Sequence, residues 1–266
     1  MVDLDSTKRI RRLFIGRMTN GTYDGPLSIV EYDIFEAHQY VMSLSSEYFD
    51  DYGKWMRVGW ALKNTDPHKL FPTWVEFSSQ SEKFDFENFE DSVNELRNRW
   101  YHNMNFDEDG LKDASIKYWL RTQDPEKFNE IHQQSISYYV QCTLLSEAAE
   151  WNFAKLMEKL FADQYAYAGG KEKVWYHYSN HRWVKKENDF GLKGKLSTEV
   201  HSFYHQRLMK TKKMITQAKN IENVAERKGK LEELHGIKEI LTKACKKTRS
   251  NTDKKKLMGE CAEVFY

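Results

Sequence analysis

Apolar residues recur at helical spacing along most of the chain. In residues 50–64, Trp55, Gly59 and Leu62 fall at i, i+4 and i+7, one face of a 3.6-residue period. Leu70, Trp74 and Phe77 repeat that spacing after a turn at residues 64–67. A third helix is predicted over residues 85–100, with Asp85 as N-cap and Phe89, Val93, Leu96 and Trp100 as its stripe. Residues 107–110 read as a loop, and Ile116, Trp119 and Leu120 mark a short fourth helix. Tryptophans at helical spacing point to a packed core.

Asp124–Pro125 restarts the chain, because Asp caps helices well and Pro suits the first helical position. That helix carries Phe128, Ile131 and Tyr138. Ser146 is the expected cap of the next, whose face is Trp151, Ala154, Met157 or Glu158, and Phe161. Residues 174–184 (VWYHYSNHRWV) read as a β-hairpin, with Ser179, Asn180 and His181 supplying the turn. After Gly191 and Gly194, Ser197 is placed to cap a long helix through Lys219. Another is predicted from Glu222 to Lys247, with Leu231, Leu234, Ile237 or Lys238, and Leu241 in step. Residues 249–256 form a basic break before a last helix at 257–266. The predicted fold is mainly α: two helical modules, the second with a small β-hairpin or sheet.

Residues 1–43 read as a linker or the tail of an upstream element, with a basic opening and turn signals at 20–26 (NGTYDGP). Residues 44–122 form the first module and 123–266 the second. Among 266 residues, 38 aromatics exclude a disordered chain, and only 4 Pro leave helices few interruptions. No stretch approaches the ~20 apolar residues of a membrane span, and the N-terminus lacks the apolar core of a secretory signal. An intracellular protein with no membrane partner is expected.

The formal net charge of +1 conceals an asymmetry. Residues 201–266 hold 16 Lys/Arg against 8 Asp/Glu, whereas the preceding 200 hold 25 against 32. Such separation points to an anionic partner for the basic part, or to a solvated helical face. Lys210, Lys212 and Lys213 lie near the end of one predicted helix, and Lys246, Lys247, Arg249, Lys254, Lys255 and Lys256 cluster around the break. These are the candidate phosphate contacts. Arg182 and Trp183, on the returning arm of the hairpin, are candidates for stacking on an unpaired base; a Trp there also suits a core plug.

No catalytic or metal-binding residue is assigned. Residues 191–198 (GLKGKLST) fail as a phosphate loop, since Leu196 separates Lys195 from Ser197 and no buried strand precedes them. His201 and His205 have HxxxH spacing without the Glu of HExxH, and His177 and His181 add no defined geometry. Cys142, Cys245 and Cys261 are too few and too scattered for a disulfide framework or zinc finger. They read as buried thiols.

Residues 50–64 (DDYGKWMRVGWALKN), 70–85 (LFPTWVEFSSQSEKFD) and 116–121 (IKYWLR) resemble the primase C-terminal type-2 domain. Trp55, Val58, Gly59, Leu62, Trp74, Ser78, Ser81 and Lys83 stand on that family's motif positions. Residues 154–169 (AKLMEKLFADQYAYAG), 173–184 (KVWYHYSNHRWV) and 196–206 (LSTEVHSFYHQ) are similar to the N-terminal domain of poxvirus- and giant-virus-type superfamily 3 helicases. Trp175, Tyr176, Tyr178, Arg182 and Trp183 match its pattern, with Tyr178 where the family has Phe. The resemblance implies the middle of a viral DNA replication primase–helicase: a non-catalytic connector and collar that couples the primase to the helicase ring and helps position DNA. It implies single-stranded or forked DNA, the parent's primase and helicase domains and other replication proteins as partners, at a cytoplasmic replication site in an infected host cell. ATP and magnesium are expected only for the primase and helicase domains, whose carboxylates and Walker motifs do not occur in this sequence. The rival expectation is a freestanding nucleic-acid-binding or scaffold protein.

Overall fold

The architecture, a computed structural model, describes residues 29–169, 174–186 and 190–266. It is mainly α-helical with one small antiparallel sheet, as the periodicity predicts. The chain divides between Gln133 and Gln134 into two compact units, a point that falls inside one long helix.

The first unit comprises α1 (Ile29–Met42), α2 (Glu47–Asp50), α3 (Tyr52–Thr65), α4 (Phe71–Ser78), α5 (Phe89–Asn98), α6 (Asp113–Gln123) and the first part of α7 (Pro125–Leu145). Asp51 caps α3 by accepting from the Lys54 amide at 2.8 Å. The predicted stripes become one core: Val58 and Leu62 of α3 meet Leu70, Trp74 and Phe77, and Leu96, Trp100, Ile116 and Leu120 close it. Trp55 stacks on Trp74 at 5.0 Å, and Trp74 lies 5.5 Å from Trp100. Gly59 is required here, because a Cβ would stand 2.9 Å from the Trp74 indole and 2.7 Å from Met104 Cε.

Two expectations are corrected in this unit. Residues assigned to a linker form α1, whose Ile34, Ala37, Tyr40 and Val41 are buried in the same core; frequent charges had masked its apolar face. The turn signals at 20–26 and the basic opening lie outside the described residues. Asp85 does not cap the third helix. Its carboxylate accepts from the Glu87 and Asn88 amides in a preceding turn, and α5 starts only at Phe89. The helix then widens into a π-type turn at Arg99–Asn103. Three successive side chains at the end of α3 pin that turn and the loop beyond it. Lys63 Nζ donates to the Trp100 and Met104 carbonyls, Asn64 bonds Asp107 N and Leu111 O, and Thr65 accepts from Asp113 N.

The second unit begins in α7 and continues through α8 (Glu150–Phe161), β1 (Tyr165–Ala168), β2 (Val174–Ser179) and β3 (Arg182–Lys186). It ends with α9 (Phe190–Lys195), a π-type turn at Leu196–Val200, α10 (His201–Ala218), α11 (Val224–Lys247) and α12 (Asn251–Val264). The expected hairpin is present and gains a third strand: β1 pairs antiparallel with β2, and β2 with β3. Asn180 and His181 take φ of 52° and 60°, the left-handed pair of a tight two-residue hairpin turn. Phe265 O accepts from Tyr167 N at 2.9 Å, so the chain's end closes the β1 edge.

Helix boundaries again differ from the pattern. Ser146 does not cap α8, because Glu147 and Ala148, both at positive φ, intervene before Glu150. Helical structure also includes Gly191 and Gly194, upstream of the expected start at Ser197, whose hydroxyl donates to Thr248 O. Trp151 lies outside the core face of α8, with Lys155 over its ring.

Candidate nucleic-acid interface

Helices α10 and α11 pack against each other along the buried positions Tyr204, Leu208, Ile215, Leu234, Leu241 and Ala244. The positions between them are turned outward and include the cations that the sequence singles out. Lys210, Lys212 and Lys213 are exposed and lie mid-helix in α10, not at its end. Lys246, Arg249, Lys255 and Lys256 are exposed as well. The break proves shorter than expected: Ser250 caps α12 through the Asp253 amide, so Lys254, Lys255 and Lys256 sit in the opening turns of that helix. Asp253 is the acidic residue of that helix's first turn, and the three lysines follow it in the second.

The fold joins two of the sequence clusters. Burial pushes the Cys245 thiol up while the charges of Arg249 and Lys212 pull it down, placing members of both clusters around one side chain. Two candidates have structural duties. Lys247 Nζ reaches Glu150 at 2.6 Å and the Ala148 carbonyl at 2.8 Å, and this lysine holds the Glu150 carboxyl below its ordinary range. Lys254 Nζ lies 3.0 Å from the Ser197 hydroxyl.

Arg182 and Trp183 stand on β3, and Trp183 is 47% exposed, not a core plug. It faces Tyr178 directly across the hairpin, with ring centroids 5.3 Å apart.

The histidines separate. His201 Nδ1 is 2.9 Å from Thr248 Oγ1 and its ring stacks on His205 at 5.9 Å, while His177 packs on Tyr165 in the sheet. Among the described residues, no three His, Cys, Asp or Glu side chains converge to hold a metal ion. Burial also pushes the Cys142 thiol up, away from the range of a nucleophile. Among the described residues, no helix is long and apolar enough to cross a membrane.

Lys185 shares one sheet face with Tyr176, Tyr178 and Trp183, a grouping that the sequence pattern does not contain. The missing signal was register: only once Tyr178 is paired with Trp183 does period-two alternation bring the four together.

Comparison with known proteins agrees with this layout. Residues 37–119 match the family model "Primase C terminal 2 (PriCT-2)", a segment lying wholly in the first unit. Over 240 residues, 90% of its length, the chain is 27% identical to "Putative helicase L207/L206" of Acanthamoeba polyphaga mimivirus. The chain spans 23% of that relative's length. Together the two findings bear out the resemblance read from the sequence, that of a primase–helicase region of giant-virus type.

Proposed function

We propose that this chain is a non-catalytic, DNA-binding connector of a viral replication primase–helicase, linking the priming and unwinding domains and positioning DNA between them. Its partners in this reading are the parent's primase and helicase domains, other replication proteins and the nucleic acid, at a cytoplasmic replication site in the infected cell. ATP and magnesium belong to those other domains. The observation that carries the reading is the band of outward-facing cations on α10–α12: Lys210, Lys213, Lys246 and Lys255 are exposed and have no ion-pair partner among the described residues. Cations of this kind neutralise phosphates and release counterions, which makes binding salt-dependent and insensitive to sequence.

The test is fluorescence anisotropy of the full chain on single-stranded, duplex and forked DNA at two salt concentrations. Changing Lys213, Lys246 and Lys255 together to Glu should weaken binding to all three ligands. The log–log salt slope should flatten by about 0.7–0.9 for each phosphate no longer neutralised. Unchanged affinity and slope, with the fold intact by circular dichroism, would reduce the basic band to a solvated surface. The chain should hydrolyse no ATP with or without DNA; DNA-stimulated turnover abolished by Lys195→Ala would overturn the non-catalytic assignment.

A further inference from the structure

We propose that the ring-bearing ledge at residues 84–91 of the first unit docks this chain's own basic segment, residues 8–17 (KRIRRLFIGR). The inference stands apart from the DNA-binding reading above, because it concerns the other unit and a protein occupant. The segment itself lies outside the described residues.

The ledge is built on three rings. Phe84 packs against the core of the first unit, and Phe86 and Phe89 pack on Phe84 with ring centroids 4.9 and 6.0 Å away. All three are only half-buried. Asp85 fixes the backbone beneath them. Its carboxylate accepts from the Glu87 and Asn88 amides at 2.9 and 3.1 Å, and its carbonyl accepts from Ser92 Oγ at 3.0 Å. An arriving segment therefore meets a surface that needs little further ordering.

Interleaved with the rings, Glu82, Glu87, Glu90 and Asp91 are exposed and have no ion-pair partner among the described residues. Glu90 and Asp91 suit the dipole of α5, whose first turn they occupy, but Glu82 lies well before that helix. The cations nearest in sequence are engaged: Lys83 Nζ donates to the Asp50 carbonyl, Arg97 to Asn94 and Arg99 to Glu95. Residues 29–133 as a whole hold 11 Lys/Arg against 21 Asp/Glu. A unit of that charge repels phosphates and draws cations.

Residues 8–17 carry five cations, no carboxylate and the apolar Ile10, Leu13, Phe14 and Ile15. That mixture matches half-buried rings rimmed by carboxylates. A phosphate backbone would take the cations and leave the apolar side chains in water. The eleven residues between Arg17 and Ile29 span at most about 36–40 Å, which reaches most of the surface of a unit with a radius of gyration of about 13 Å. A tether of that length holds the segment at roughly millimolar effective concentration, so docking within one chain prevails over a second copy at micromolar protein.

The test follows a labelled peptide of residues 8–17 by fluorescence anisotropy on the full chain. In the parent the ledge is occupied. Two variants should free it: Arg9→Gln with Arg11→Gln and Arg12→Gln, and Leu13→Ser with Phe14→Ser, which alters no charge. Each should bind the peptide about tenfold more tightly than the parent, the ratio of a millimolar effective concentration to a dissociation constant of about 0.1 mM. Each should also take up deuterium faster over residues 84–92. Adding Glu82→Lys and Glu87→Lys, both at exposed positions, should cost that peptide affinity about tenfold. Phe86→Ala should weaken binding even at high salt, where the charges are screened. Equal peptide affinity for the parent and both freed variants would overturn the proposal, as would binding that survives the ledge reversal. So would an arginine variant that loses DNA affinity with deuterium uptake at 84–92 unchanged, which would assign the segment to nucleic acid. Self-association of the parent that either variant abolishes would move the docking to a second copy and overturn it too.

Discussion

Lys63 offers a sharp test of how the first unit is held together. Its ammonium is buried and donates at 2.5 and 2.6 Å to the carbonyls of Trp100 and Met104, on either side of the close of the π-type turn. Replacing it with Met keeps the stem volume and removes both donors. Charge-assisted hydrogen bonds contribute about 1.5–3 kcal/mol each, so two are worth about 3–6 kcal/mol. The desolvation of the ammonium is recovered in the variant, which leaves a net loss of about 2–4 kcal/mol. Equilibrium urea unfolding followed by tryptophan emission measures it, because Trp55, Trp74 and Trp100 stack within this unit. Lys69→Met, at an exposed position, is the control. A Lys63→Met midpoint equivalent to less than about 0.5 kcal/mol of change, within the range of surface substitutions, would refute the reasoning. It would mean that water satisfies those carbonyls and that the amine does not clamp the turn.

Gly59→Ala should destabilise the same transition by about 1–3 kcal/mol, since its Cβ would press on the rigid Trp74 indole and on Met104; an unshifted midpoint would show that the core yields. Burial, with Arg249 and His205 adding to it, holds His201 below its ordinary pKa of 6.5. The unfolded chain therefore binds this proton more readily: the contribution to stability is full above about pH 6.5 and is lost as pH falls through the folded value. His201→Gln should flatten the pH dependence of the second unit's thermal midpoint over that range. Lys247→Met removes the partially exposed link to Glu150 and the Ala148 carbonyl and should cost about 1–2 kcal/mol, with the DNA salt slope unchanged. A flatter slope would reassign Lys247 to the nucleic acid.

The stripes Trp55–Gly59–Leu62 and Leu70–Trp74–Phe77 were legible because burial on one side imposes a 3.6-residue period that few other constraints disturb. α1 was not: Glu31, Asp33 and Glu36 interleave with Ile34, Ala37 and Tyr40, and Glu36, itself buried, breaks the apolar stripe. Helix starts were misread where a polar residue was spent elsewhere. Asp85 closes a local turn, Ser197 bonds the Thr248 carbonyl, and Ser146 precedes two left-handed residues that no local propensity favours. The cation clusters were visible as composition, but their sorting was tertiary. Only packing shows that Lys247 reaches back to Glu150 while Lys246, one position away, faces solvent. Likewise the hairpin was readable from β-branched and aromatic residues around Asn180, whereas the grouping on one sheet face needed the register.

The uneven packing of α10 against α11 sets a gradient of amide lifetimes along the pair. Toward one end, Tyr204, Leu241 and Ala244 are fully buried; toward the loop, a separate small cluster of Ile215, Ala218 and Leu234 carries the contact. Gly229 and Gly236 stand in open space on α11, each costing the helix about 1 kcal/mol relative to Ala with no close approach to justify it. Backbone deuterium uptake should therefore begin in residues 219–236 and reach 240–248 last. Lys246 and Arg249 lie at the slowly exchanging end. In the DNA-binding reading proposed above, a phosphate arriving there would meet helices already ordered, and little of its binding free energy would go into fixing the backbone that receives it.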